Sequence, residues 1–148
     1  MAGELSPPTA YPTATSMVFE AVKVRWAARS LDAVITGSVT QHAARDKTAP
    51  PYSVIEQVSE RVKSRSNCSV YDTVTFKLSV VDLSPELAGG KLAKVIGAFE
   101  EPALALNGGE LLYLRHSDVG YAKQDGHYEV AFSQFEALVG RPRVRRPA

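Results

Sequence analysis

Residues 70–82 read VYDTVTFKLSVVD and form the clearest strand pattern in the chain. Apolar and polar side chains alternate along it, which is the period of a β-strand with one buried face. The side chains expected in the core are Val74, Phe76, Leu78 and Val80, and those expected on the other face are Thr73, Thr75, Lys77 and Ser79. The segments on either side of this strand must supply the cover for its apolar face.

Two segments with helical spacing flank the strand. Residues 17–36 read MVFEAVKVRWAARSLDAVIT, with Ser16 as a candidate N-cap and Gly37 after the end, which predicts a helix of about five turns. Residues 84–102 start with Ser-Pro, a sequence typical of a helix N-terminus, and end at a proline. The helical side chains expected to pack on the sheet are Trp26, Leu31, Leu92, Ile96 and Phe99.

A proline corner precedes the other long strand pattern. Residues 49–62 read APPYSVIEQVSERV, and the two prolines favour extended backbone, so the chain enters the strand at Tyr52 already straight. Residues 62–69, VKSRSNCS, are small and polar. They predict a hairpin loop with Lys63 and Arg65 near its tip.

The C-terminal third predicts two further strands. One lies near residues 110–117, and another lies near residues 127–136 after a turn at Asp125-Gly126. In the last strand Val130 and Phe132 share a face, which we expect to join the core.

Together with a short strand at residues 39–42, the element order is helix, short strand, strand, strand, helix, strand, strand. This order predicts an α+β fold, in which two helices pack on one face of a single sheet with mainly antiparallel strands.

Composition and charge indicate one ordinary domain with two extensions. The chain has 148 residues, 45% hydrophobic and 22% charged. Residues 1–15 are proline-rich and predict a flexible arm, residues 16–140 form the domain, and residues 141–148 form a basic tail. The whole chain has a formal net charge of +1, and the tail contributes four positive charges from its arginines. The rest of the chain is therefore net negative.

Several classes of protein are disfavoured. The single cysteine, Cys68, cannot form an intramolecular disulfide, which fits a reducing compartment such as a cytoplasm. No segment approaches the ~20 apolar residues of a membrane helix. The first 16 residues lack the apolar centre of a secretory signal.

The chain has no pattern of catalytic, metal-ligating or cofactor-binding residues. Its three histidines share no metal-ligand spacing, and Leu92 in LAGGKLA stands where a phosphate loop needs Ser or Thr. No nucleophile elbow is present. We therefore predict that the protein is not an enzyme, although carboxylates brought together only by the fold stay an open alternative.

The basic residues are the remaining candidates for contact with a partner. Arg61, Lys63 and Arg65 surround the predicted hairpin, and the other group is the arginine tail. Such residues contact phosphates or acidic neighbours. No aromatic residue interleaves them, so stacking on single-stranded nucleic acid is not predicted.

The order of these segments resembles a known family. A helix, the strand PPYSVIEQVSER, a polar hairpin, VTFKLSVVD, a Ser-capped helix and two strands followed by FEAL are similar to the tail terminator (tail-completion) proteins of long-tailed bacteriophages and related tail-like particles. The resemblance covers roughly residues 17–139, and its most distinctive residues are Pro50, Pro51 and Tyr52.

The resemblance implies a virion protein that forms a hexameric ring at the head-proximal end of the tail tube. The ring would stop tube polymerisation, join the head-completion (stopper) protein of the connector, and let DNA pass without sequence-specific binding. It would be assembled in the host cytoplasm, with the ends of the sheet and the loop 41–51 near subunit contacts. The residues expected to contact other proteins are Pro50, Pro51, Tyr52, Arg61, Lys63, Arg65, Arg141, Arg143, Arg145 and Arg146.

Two alternatives remain. One is another neck, head-completion or minor tail protein, although adaptors are mainly helical and stoppers mainly β-barrels, so the mixed pattern favours a terminator. The other is a small intracellular ligand-binding or enzymatic domain, which requires a concave site with converging polar groups.

Overall fold

The computed structural model describes residues 13–35, 39–41, 50–66, 68–100, 103–124 and 128–142. The described elements are two α-helices, a 3-10 turn and one six-stranded sheet. In chain order they are α1 (Ala14–Ala28), the 3-10 turn (Leu31–Ala33), β1 (Val39–Gln41), β2 (Tyr52–Arg65), β3 (Ser69–Asp82), α2 (Pro85–Glu100), β4 (Glu110–His116), β5 (Gly120–Gln124) and β6 (Tyr128–Pro142). The predicted α+β class is confirmed.

The sheet is built around two long central strands. Its order is β1-β2-β3-β6-β4, and β5 also pairs with β6. β1 is parallel to β2, and every other pair is antiparallel. β3 and β6 pair along their whole described length, from Ser69 with Pro142 to Asp82 with Glu129. Because β6 pairs with β3 up to the turn of the β2–β3 hairpin, the whole hairpin is part of the sheet and does not extend beyond it.

The core lies between the helices and one face of the sheet. Val74, Phe76, Leu78 and Val80 of β3 are fully buried, as predicted. Phe76 stacks on Phe135 with ring centres 5.1 Å apart. The helical residues predicted as cover belong to the same core, namely Trp26, Leu31, Leu92, Ile96 and Phe99.

The predicted face of β6 is wrong. Val130 and Phe132 pair with Val81 and Ser79 of β3, so they lie on the face opposite the helices. Directly paired residues lie on the same face of the sheet, and successive side chains of a strand point to opposite faces. A shift of the pairing by one residue therefore moves every side chain of the strand to the other face. The set that faces the helices is Ala131, Ser133, Phe135, Ala137 and Val139. Three of these five side chains are small, so the hydrophobicity pattern of the sequence does not identify this face as the buried one.

Helix α1 begins earlier and ends earlier than predicted. Its N-cap is Thr13, whose Oγ1 accepts from the Ser16 amide at 3.1 Å, so the folded domain reaches into the segment predicted as an arm. Ala14 and Thr15 are buried. The helix ends at Ala28 because Ser30 takes a left-handed conformation with φ of 53°, and a 3-10 turn replaces the last predicted turns.

Three boundaries of strands differ from the prediction. β2 runs to Arg65, so Lys63 and Arg65 lie in a strand, and β3 begins four residues later at Ser69. The predicted strand near 110–117 is followed by a separate β5, and both pair with the same side of β6. β6 extends to Pro142 and includes Arg141. None of the helices in the described segments is long and apolar enough to cross a bilayer.

Candidate assembly interface

The face of the sheet opposite the core, called here the outer face, brings together side chains from four strands. Thr73 and Lys77 of β3, on the alternation opposite to Phe76, lie on it, and Leu138 of β6 pairs with Thr73. Neither α1 nor α2 packs on this face, since both lie in the core around Phe76. The two described helices therefore leave the outer face uncovered, and it is a candidate surface for contact with a partner.

One end of the outer face is an apolar cluster around the proline corner. Tyr52, Val54 and Val81 are buried, and the partly buried Tyr128 and Val130 pack against them. Pro50 and Pro51 are half-buried, and the peptide bond between them is cis. Tyr52, which was predicted to contact a neighbouring protein, is thus buried by residues of its own chain.

The middle of the outer face holds an aromatic ring between a glycine and a lysine. A Cβ atom at Gly120 would lie 2.6 Å from the Phe132 ring, so the ring lies directly on that glycine. The ammonium of Lys77 is 4.6 Å from the centre of the same ring, within the range of a cation–π contact. A side chain at position 120 would require the Phe132 ring to move, which gives Gly120 a packing role in the sheet.

The other end of the outer face is a charged cluster. Tyr113 Oη donates to Glu136 Oε2 at 2.8 Å, and Arg115 Nε donates to the same oxygen at 3.0 Å. The guanidinium of Arg115 also lies 4.6 Å from the Tyr113 ring centre, and Lys63 Nζ lies 6.0 Å from it. Donation by Arg115, and then by Tyr113, lowers the pKa of Glu136. The hydrogen bond to Glu136 raises the pKa of Tyr113.

One edge of the sheet is open and basic. β1 pairs with only Ser53–Ile55 of β2, which leaves residues 56–65 without a second neighbour among the described strands; we call this stretch the β2 edge. Arg61, Lys63 and Arg65 are exposed along it, as are Val58 and Val62 at 52% and 48%. The fold therefore brings the three predicted basic residues together, on a strand edge instead of a loop tip.

The opposite edge of the sheet is β4, which ends the strand order. Glu110 is exposed at its start, and Leu112 is 44% exposed beside a register shift. The sequence did not predict that β4 is an edge strand. Apolar and polar side chains alternate in the same way in an edge strand and in an internal strand with one uncovered face.

The arginines of the basic tail separate into two groups. Arg141 lies in β6, and its Nε donates to Asp72 Oδ2 at 2.6 Å. Asp72 is 1% exposed, so Arg141 serves the fold of its own chain. Sequence analysis missed Asp72, although its place in the core alternation two residues before Val74 was a signal. Arg143, Arg145 and Arg146 lie outside the described residues.

Several open depressions lie between described residues. One, between α2 and β4, is lined by Phe99, Glu100 and Leu112, and another lies between Arg115, His116 and neighbours on β3 and β6. Within the described segments no three His, Cys, Asp or Glu residues are placed to hold a metal ion.

Comparison with known proteins finds similarity at the level of the fold. No protein-family model and no curated protein matches the chain. A chain of the solved virion of a native gene transfer agent (GTA) particle aligns with it at a TM-score of 0.69 and 18% sequence identity. The alignment covers 88% of this chain and 99% of that chain. The two chains share a fold.

Proposed function

We propose that this protein is a structural component of a phage-like virion. The observation that carries the proposal is the fold likeness to a chain of a gene transfer agent virion, which extends over 99% of that chain. An assembly role also agrees with an outer face and strand edges that offer extended contact surfaces.

Within that class, we propose the role of tail terminator: a hexameric ring at the head-proximal end of the tail tube that ends tube growth and receives the connector. The sequence resemblance supports this role. The geometry supports it because a head-to-tail ring needs two different, complementary surfaces on each subunit. The β2 edge and β4 lie on opposite sides of one sheet. The proposal includes no catalytic function.

We further propose that the exposed basic residues of the β2 edge contact proteins and not DNA. Apart from its arginine tail the chain is net negative, which suits a ring through which DNA slides, since each neutralised phosphate adds salt-dependent affinity. Acidic patches on the tube or connector are the expected partners. Exposed ion pairs are each worth ~0–1 kcal/mol, and a ring repeats them in every subunit.

The test of the proposed function is to determine the copy number and position of the protein in purified particles by electron microscopy. We expect six copies in a ring between tube and connector, and loss of the protein is expected to give overlong tails without heads. A ring of another symmetry, or a single copy, would remove the terminator role but leave a neck or minor tail protein. Absence from the particle would overturn both.

A charge-reversal variant tests the proposed use of the β2 edge. Arg61→Glu together with Arg65→Glu is expected to reduce the fraction of heads joined to tails, whereas Lys94→Glu on α2, an exposed control, is not. Removing residues 143–148 tests the arginine tail without removing Arg141, which the fold needs. Tight DNA binding by the purified protein at physiological salt, lost in these variants, would instead indicate a DNA clamp.

A further inference from the structure

We propose that the β2 edge of one copy pairs with β4 of the next copy, so that one antiparallel sheet continues from subunit to subunit. The inference deepens the proposed function and rests on it only for the number of copies. It names the interface, the strands that form it and their relative direction.

The direction of the strands supports this pairing. β2 is antiparallel to β3, β3 to β6, and β6 to β4. β2 and β4 therefore run in opposite directions on the two sides of the sheet. A copy placed beside the first in the same orientation brings its β4 antiparallel to the β2 edge, and the hydrogen-bonding pattern of the sheet continues without a break.

Both edge strands have features that are typical of strands that pair with another chain. Neither the β2 edge nor β4 contains a proline, which would block pairing. Val58 and Val62 on one side and Leu112 on the other are half-exposed apolar side chains. Pairing would bury them. The charged residues that accompany them oppose unspecific pairing and select a complementary partner.

The charges of the two edges are complementary at one end when neighbouring sheets are aligned at the same height. The registers across the sheet place Ser64 level with Glu110 and Ser59 level with Arg115. The basic end of the β2 edge therefore meets Glu110 of the neighbour. At the other end, the uncharged Ser59 lies opposite the neighbour's Arg115, and Glu56 lies level with Gln134, beyond the last residue of β4. Opposite charges therefore face each other at the basic end, and a second copy of this chain supplies them without a further protein.

Disulfide trapping tests this interface. In a Cys68→Ser background, Val62→Cys and Leu112→Cys are made on separate chains, mixed, assembled and oxidised; the registers place Val62 level with Leu111, next to Leu112. A disulfide forms only if Cα atoms approach within about 7 Å. We expect covalent dimers of the two variants and none of either alone. Val24→Cys, exposed on α1, replaces Val62→Cys as the control.

A chain that carries both cysteines is expected to give a ladder of covalent oligomers that ends at the closed ring. As a measurement without cysteines, amide hydrogen exchange of residues 56–65 is expected to slow on assembly. Covalent dimers of Val62→Cys alone would overturn the inference in favour of a two-fold contact. Rings without the Val62–Leu112 cross-link and without slower exchange would overturn it and leave the ring role standing. A ladder from a protein that is absent from particles would overturn the proposed function and leave the interface standing.

Discussion

At the scale of single residues, the contact between Phe76 and Phe135 lies at the centre of the core. Phe76 is fully buried, and Phe19 of α1 meets its ring edge-on at 5.8 Å between centres. Phe132, three residues before Phe135 on the same strand, lies on the outer face and is only partly buried. Two phenylalanines of one strand therefore have different energetic roles.

We expect Phe76→Ala to lower the free energy of unfolding by ~3–5 kcal/mol, because it removes a buried ring and leaves a cavity. Phe132→Ala removes a partly buried ring and its contact with Lys77, and is expected to cost about 1–2 kcal/mol. Urea denaturation of both variants measures the difference. Equal losses would contradict the assignment of Phe132 to the outer face.

The charged cluster on the outer face predicts a dependence of stability on pH. Arg115 and Tyr113 hold the pKa of Glu136 below its ordinary value of 4.5. A carboxylate whose pKa is lower in the folded state adds stability above its unfolded pKa, and that stability is lost as pH falls through the folded pKa. The contribution of Glu136 is therefore present at neutral pH and disappears in acid below its ordinary pKa.

We expect Glu136→Gln to be less stable than the natural chain at pH 7, by a small amount because the cluster is solvent-exposed. The difference is expected to shrink as pH falls below 4.5, the ordinary value for this group. Thermal unfolding of both chains between pH 7 and pH 3 measures it. A difference that stays constant over this range would show that the charge of Glu136 contributes nothing to the effect.

At the scale of elements, Glu60 joins the β2 edge to the start of α1. Its Oε1 accepts from the Thr15 amide at 2.7 Å and from Thr15 Oγ1 at 2.6 Å. A carboxylate at this position satisfies an amide that has no partner inside the helix, and it interacts favourably with the helix dipole. The orientation of α1 on the sheet is thus linked to the strand proposed as the interface.

We expect Glu60→Ala to cost about 1–2 kcal/mol, since it removes both hydrogen bonds at the helix start. Hydrogen exchange of amides in the first turn of α1 is expected to accelerate in this variant. Glu56→Ala, on the same strand, is the matched control and is expected to change stability by less than about 0.5 kcal/mol. Similar exchange in the two variants would mean that Thr13 alone caps the helix.

At the scale of the whole molecule, the structure divides the basic tail at Pro142, where β6 ends. Removal of residues 143–148 is expected to leave thermal unfolding unchanged. Removal of residues 141–148 also deletes Arg141 and leaves the buried Asp72 without its partner, which is expected to cost on the order of 3 kcal/mol. Two truncations that differ by two residues therefore separate a role in stability from a role in assembly.

Point substitutions in the full chain control for the shortened strand. Arg141→Met alone is expected to destabilise nearly as much as the longer truncation. Adding Asp72→Leu is expected to restore much of the loss, because no buried charge is left unpaired. Equal melting of the two truncated chains would contradict the assigned role of Arg141.

Elements whose own side chains carry a strong period could be predicted from the amino-acid sequence. The core alternation of β3, the fold class and the apolar residues of both helices followed from spacing alone. The grouping of Arg61, Lys63 and Arg65 also followed, because residues two apart in a short segment stay close in any extended conformation.

Which face of β6 is buried depends on the pairing with β3, which sets the register, and the side chains that face the helices include the small Ala131, Ser133 and Ala137. The tertiary structure also decided that Arg141 pairs with Asp72, 69 positions away in the chain. The two open edges of the sheet follow from strand order, a non-local property. Local periodicity records how a residue relates to its neighbours in sequence, whereas pairing, register and edges depend on contacts between distant segments.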